Sequence, residues 1–370
     1  MKEKKIGHGI ILGSFIFLCI SWILWIPLEQ VVDSENYENR EMTEKPSLTG
    51  ANYKTFATEY ESYVDDNLPF RNTLVQLNNE IDYFLFKKSS SDRVIIGEDN
   101  WLFYANASDG NPISCYQGTN LLSNEKLHAI AQNCITQRDF LLIQGKEFVV
   151  FIAPNKERVY SEYMPDKYGA VAENYAALQI YNYLKENTDL RVVYPYEEIM
   201  DAKNDVRENI YYKTDTHWNY LGGYVGSKAL LRELGIEIPD INSEHITITS
   251  DSNTSGDLAG MLNLKEQLLH TDKEYTVEGY DMHDRKTIEW NFNEAIIYQA
   301  TDADPRKIYV IRDSFASAMA LYIGSQFNDS YLRHRSSYTY ENLVEQNPDI
   351  VVYEIVERYA TTLETFSIKN

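Results

Sequence analysis

Four short runs, Phe148 to Ala153, Arg191 to Tyr194, Lys307 to Ile311 and Ile350 to Ile355, are built almost without interruption from β-branched and aromatic residues. Strands of this kind are buried on both faces and lie between layers of helices. Segments of helical period separate them, from Asn124 to Gly145, Asn174 to Glu186 and Tyr220 to Gly235. The alternation predicts an α/β fold, a sheet with helices on both faces. Ahead of it, Tyr53 to Phe86 reads as two helices joined by a turn at Asp65 to Arg71, and Val94 to Tyr104 as a hairpin around Gly97-Glu98-Asp99-Asn100. Residues 237–298 are polar and mixed, and are expected to be an insertion of strands and loops beside the site.

The N-terminus carries a second strong signal. Lys2, Lys4 and Lys5 precede an apolar run from Ile6 to about Leu28, long enough to cross a bilayer as a helix. The lysines keep the N-terminus cytoplasmic, so the remainder is exported. A cleaved signal peptide is the competing reading, but the run exceeds a usual apolar core and ends in Trp25-Ile26-Pro27-Leu28 without a small-x-small site. The expectation is an uncleaved anchor over residues 1–30, a polar linker over 31–51 and an extracytoplasmic catalytic domain over 52–370, with the protein at the cell membrane.

Charge narrows the partners. A net charge of −22 lacks the clustered Lys and Arg that track a phosphate backbone, so nucleic acid is excluded as an expected partner. The same charge weighs slightly toward a neutral substrate over a strongly anionic polymer. Of three cysteines, Cys19 lies in the apolar run; Cys115 and Cys134 are exported, where either a disulfide or two small buried residues fits.

The chemistry is concentrated at two places. Lys307 to Ile311 runs directly into Arg312-Asp313-Ser314 and then a helix, which sets Ser314 at the carboxyl edge of a sheet, where crevices lie and where helix N–H groups stabilise an oxyanion. Alone, Ser314 fits a helix cap equally well. Asp215-Thr216-His217-Trp218 supplies what a serine hydroxyl needs, an imidazole to take its proton and a carboxylate to orient that imidazole.

These residues resemble the alginate O-acetyltransferase-like and DHHW-type proteins, a permuted branch of the SGNH hydrolase superfamily. The resemblance runs along most of the exported chain: Glu38-Asn39-Arg40, Asp66-x-x-Pro69-x-Arg71, Gly97 with Trp101-Leu102-Phe103-Tyr104, Pro154-Asn155-Lys156, Met164-Pro165, Asp215-Thr216-His217-Trp218, Arg312-Asp313-Ser314-Phe315 and Glu357-Arg358-Tyr359. It implies an SGNH-like doubly wound sheet, with Ser314 as nucleophile, His217 as acid and base, and Asp215 as its orienter. Ordinary SGNH enzymes place the serine early, so this order is the permuted one. Arg312 stands where the family has the glycine of Gly-Asp-Ser, which bears on the backbone around the oxyanion hole. Asn155, Arg333 and Trp218 are further candidates for substrate or oxyanion contacts; a turn residue, a solvated charge and ordinary packing are the plainer alternatives for them.

Tyr211, Tyr212, Trp218, Tyr220 and Tyr224 crowd the histidine motif, fit either for stacking on sugars or for packing. A zinc site from Asp215, His217, His245, His270 and His283 lacks closely spaced ligand motifs, and neither metal nor cofactor is expected. The resemblance and the topology together imply transfer of an acetyl group through an acetyl-serine to an exported polysaccharide, with a multipass membrane O-acyltransferase as donor. A carbohydrate esterase with the same triad and a non-catalytic glycan-binding assembly protein are the alternatives.

Overall fold

The computed structural model describes residues 12–17, 43–66, 71–280 and 283–369. Residues 12–17 are helical, while the rest of the expected anchor and residues 31–42 of the expected linker lie outside the described residues. Among the described residues no helix is long and apolar enough to cross a membrane. The chain divides into two compact units, residues 1–90 and 91–370. The first holds the expected helix pair, α1 (Phe56–Asp66) and α2 (Arg71–Phe84).

In the second unit β1 (Val94–Ile96) and β2 (Leu102–Tyr104) pair as the expected antiparallel hairpin. There follow α3 (Asn124–Leu142), β3 (Glu147–Ala153), α4 (Ala176–Asn187), β4 (Arg191–Val193), α5 (Tyr196–Asp205), α6 (Tyr220–Glu233), β5 (Thr247–Thr254), β6 (Asp272–Glu278), β7 (Arg285–Trp290), β8 (Ala295–Ala300), β9 (Asp304–Arg312), β10 (Phe327–His334), α7 (Tyr340–Gln346) and β11 (Ile350–Val356). Seven strands form one sheet in the order β4-β3-β11-β9-β10-β8-β7. The first five run parallel, and β8 and β7 extend them antiparallel. Residues 237–298 therefore divide: β5 and β6 pair as a separate ribbon, whereas β7 and most of β8 belong to the main sheet.

Alternate residues of the central strands enter two separate cores, as period-two side-chain placement requires. On one face Val149, Phe151, Ile308, Val310, Ile350 and Val352 pack with Ile199 of α5 and Leu221, Tyr224 and Leu230 of α6. On the other, Phe148, Val150, Ile152, Tyr309, Ile311, Val351 and Ile355 pack with Leu127 and Ile130 of α3, Ile180 and Leu184 of α4, and Leu343 of α7. All seven residues of β11 are buried, which is why its sequence is continuously apolar apart from Glu354. Cys115 and Cys134 are both buried and unbridged, and burial pushes each thiol up to about 12.

Winding decides where the site lies. The chain passes outward from β3 to β4, later from β9 to β10, and returns through β11 between β3 and β9. At such a reversal the carboxyl ends of neighbouring strands splay apart and leave a crevice. The residues just past β3 (Asn155, Lys156), β9 (Asp313, Ser314), β10 (Arg335) and β11 (Glu357, Arg358) all emerge at that edge.

Candidate active site

Ser314, two residues past the end of β9, begins a 3-10 turn, Phe315–Ser317, and the expected helix follows as five residues from Ala320. The elbow is held by Asp313, whose carboxylate accepts the Phe315 N–H at 2.8 Å and the Val356 N–H at 2.8 Å. The nucleophile turn is thereby bolted to the end of β11. The Phe315 amide is engaged by this clamp, so it is not open to an oxyanion. Beneath it Glu354 accepts the Asp313 N–H at 2.9 Å; burial first, and the Asp313 charge second, hold its carboxyl well above the usual range.

Arg312, in the family's glycine position, is fully buried. Its guanidinium donates to the Asp313 carbonyl and the Ser317 hydroxyl, each at 3.1 Å, and to the Phe292 carbonyl at 2.7 Å. Burial pushes its pKa down to about 10 against the pull of Glu354 and Asp313. A glycine would leave these acceptors empty; arginine ties the elbow to the β7–β8 turn.

His217 and Asp215 come from the loop between α5 and α6. The His217 Nε2 lies 2.7 Å from Ser314 Oγ and its Nδ1 lies 2.6 Å from Asp215 Oδ1. An Nδ1–H donated to Asp215 leaves Nε2 as acceptor for the serine proton. Burial alone would lower the His217 pKa, but the Asp215 charge and hydrogen bond outweigh it, and the imidazole sits above its ordinary value. Burial likewise opposes ionisation of Asp215, yet His217 and two backbone N–H donors, His217 at 2.9 Å and Asp257 at 2.8 Å, hold it below the usual carboxylate range.

The loop is fixed from three sides. Lys156, fully buried, donates its Nζ to the carbonyls of Tyr212 at 3.1 Å, Lys213 at 3.3 Å and Asp215. Asp257 accepts the Thr216 N–H at 2.8 Å and its hydroxyl at 2.7 Å, adding negative potential behind the imidazole. Trp218 is 1% exposed and donates its indole N–H to the Phe315 carbonyl at 2.8 Å, joining the histidine loop to the serine elbow. The sequence reading missed Asp257, whose short Gly256-Asp257 step lies inside the polar insertion. Its signal was Gly256, since a Cβ there would lie 2.5 Å from Asp215 Cα.

A cleft of about 550 Å³ opens on Ser314 and His217, walled by Tyr212, Tyr220, Asp251, Glu274, Tyr275, Trp290 and Phe292. Tyr212 and Tyr220 therefore face it, whereas Tyr211 and Tyr224 are fully buried packing residues. A second cavity of about 240 Å³ also reaches Ser314 and His217 and is lined by His334, Arg335, Arg358 and Tyr359. Burial and the nearby Arg312 lower the His334 pKa, so its imidazole is neutral at pH 7. Neither Asn155 nor Arg333 lines either space. Asn155 lies just past β3 with its amide buried and unpartnered on both atoms; Arg333 sits on β10 in a small cavity beside Tyr309 and Tyr331. Asp215, His217 and Asp257 have ligand atoms within 4.8 Å of one another, and among the described residues His245, His270 and His283 do not join them.

Relatives agree with this architecture. The sequence model of the family described as SGNH hydrolase-like domain, acetyltransferase AlgX, matches residues 94–289. The probable alginate O-acetylase AlgJ of Pseudomonas putida is 24% identical over 318 residues, 81% of this chain and 78% of that protein. The Pseudomonas fluorescens protein of that name is 25% identical over 206 residues, 55% of this chain and 48% of its own length. Among solved structures, Bacillus cereus PatB1 with a sulfonyl adduct superposes with a TM-score of 0.53 at 16% identity, covering 76% of this chain and 99% of that one. A DHHW family protein from Eubacterium siraeum gives 0.52 at 13% identity, covering 65% and 89%. At these identities the structural likeness speaks for the fold. With more than half of its length matched, the chain belongs to the family of the SGNH hydrolase-like domain of the acetyltransferase AlgX.

Proposed function

We propose that this protein is an O-acetyltransferase that esterifies hydroxyls of an exported polysaccharide. The observation that carries the reading is the hydrogen-bonded line from Ser314 Oγ through His217 to Asp215 at the floor of an aromatic-walled cleft. Family membership and the curated AlgJ relatives support the acetyl chemistry.

Ser314 Oγ attacks the carbonyl carbon of an acetyl ester while His217 Nε2 takes its proton. Collapse of the tetrahedral intermediate breaks the donor's C–O bond, and His217 returns the proton to the departing alkoxide. The acetyl-serine then accepts attack by a sugar hydroxyl, whose proton passes to His217 and on to Ser314 Oγ. Asp215 keeps Nδ1 protonated and stabilises the imidazolium formed in each half. The anchor places the domain outside the membrane, where the acetyl group is delivered by a multipass membrane O-acyltransferase.

The test uses the detergent-solubilised full chain with an activated acetyl ester, with and without oligosaccharide, in wild type and Ser314→Ala. Sugar acetylation in wild type that vanishes in the variant is expected. Ser314-dependent acetate release without acetylated sugar would instead make the protein an esterase, and no turnover would leave a binding role.

A further inference from the structure

We propose that the acceptor taken by the larger cleft is an uncharged glycan, and that polyuronates are excluded from it; this rests on the transferase reading above. Of the two spaces that meet at Ser314 and His217, the second holds Arg335 and Arg358 together with Asp109, Asp257 and Asp313, while the larger cleft holds carboxylates alone. Among the described residues lining the larger cleft none is a lysine or arginine, while three carboxylates, Asp215, Asp251 and Glu274, face it. The nearby Arg312 is fully buried, with its guanidinium N–H groups donating to the Phe292 and Asp313 carbonyls and the Ser317 hydroxyl, so it offers no donor to a ligand in the cleft. A uronate carboxylate in this cleft would meet like charges with no lysine or arginine to pair it, the one imidazole being held by Asp215.

The same walls suit a neutral sugar. Trp290 and Phe292, at the end of β7 and in the turn after it, are 47% and 46% exposed, large apolar rings kept at the cleft instead of in a core. Ring faces of this kind cover the C–H face of a pyranose. Glu274 accepts the Tyr212 hydroxyl at 2.5 Å and Asp251 that of Thr276, which fixes both carboxylates as acceptors for sugar hydroxyls. Among the described residues the arginines of the site, Arg335 and Arg358, line the second cavity, where they lie over the Tyr359 ring at 4.5 Å and 5.3 Å. At about 240 Å³ that cavity is below the roughly 300–1,000 Å³ of an organic ligand site, and the larger cleft is within it.

Binding to the full-length Ser314→Ala chain in detergent, read by titration calorimetry, separates acceptor class from chemistry. The probes are a neutral β-1,4-linked glucose hexamer, a mannuronate hexamer and a glucosamine hexamer. The neutral hexamer is expected to bind at least about tenfold more tightly than the mannuronate, Trp290→Ala to weaken it about threefold to tenfold, and Asp251→Asn with Glu274→Gln to narrow the gap. Equal or tighter mannuronate binding, its loss in Arg358→Gln, a tenfold preference for the glucosamine hexamer, or no binding of any hexamer would overturn the proposal. Neutral binding by the variant with no transfer by wild type would overturn the transferase reading and leave this one standing. Ser314-dependent transfer to mannuronate would do the reverse.

Discussion

The His217 ring hydrogen-bonds Asp215 through Nδ1, and the effect of that bond on the imidazole is open to measurement. A histidine held above its ordinary pKa of about 6.5 is protonated, and so unable to take the serine proton, until the pH exceeds that raised value. Ester turnover is therefore expected to rise with pH through an apparent pKa above about 6.5. In Asp215→Asn the attraction is gone and burial remains, so the acid limb should move to lower pH while the plateau falls about 100-fold or more. A pH–rate profile on an activated acetyl ester checks both, and an unmoved acid limb would mean that Asp215 does not set the imidazole's charge. Arg312 belongs to the same scale. Its place in the sequence marks a departure from the family's glycine, but only the coordinates show its guanidinium reaching Phe292, a wall of the cleft.

Among the elements, α6 brings the histidine loop against the serine elbow. Asn219 caps it, accepting the N–H groups of Leu221 at 2.9 Å and Gly222 at 3.3 Å, and the period of this helix is legible in the sequence. What the period does not reveal is why three glycines lie in its first two turns. Gly223 faces the elbow, where a Cβ would lie 2.6 Å from the Ala318 carbonyl carbon and 2.7 Å from the Ala318 Cβ. Gly223→Ala should raise intrinsic helix propensity yet lower stability by about 1–3 kcal/mol, because backbone and not a flexible side chain stands in the way. Urea denaturation of wild type and variant tests this, and an unchanged or higher midpoint would show that the elbow yields. The short helical turn at Asp257–Met261 escaped the sequence reading because five residues carry too little periodicity to be seen.

For the whole molecule, Cys115 and Cys134 give a direct check on packing. Cys115 and Cys134 are buried and unbridged, with thiols pushed up to about 12, so both should resist alkylation in the native protein and react once it is unfolded. Mass spectrometry without reductant after denaturing alkylation is expected to show both modified; a species 2 Da lighter and unmodified at both would reveal a disulfide. The sequence by itself determined the layered α/β plan, because continuous apolar strands such as β11 can be satisfied only between two helical layers, and it named Ser314, His217 and Asp215 because nucleophile, base and orienter are chemically distinctive in short motifs. Tertiary structure alone decided that β7 and β8 join the main sheet, that Asp257, Lys156 and Arg312 hold the site, and that Arg335 and Arg358 line a different space from Asp251 and Glu274. Those outcomes rest on contacts between residues far apart in the chain, which follow from the winding of the sheet and leave no local period or spacing to read.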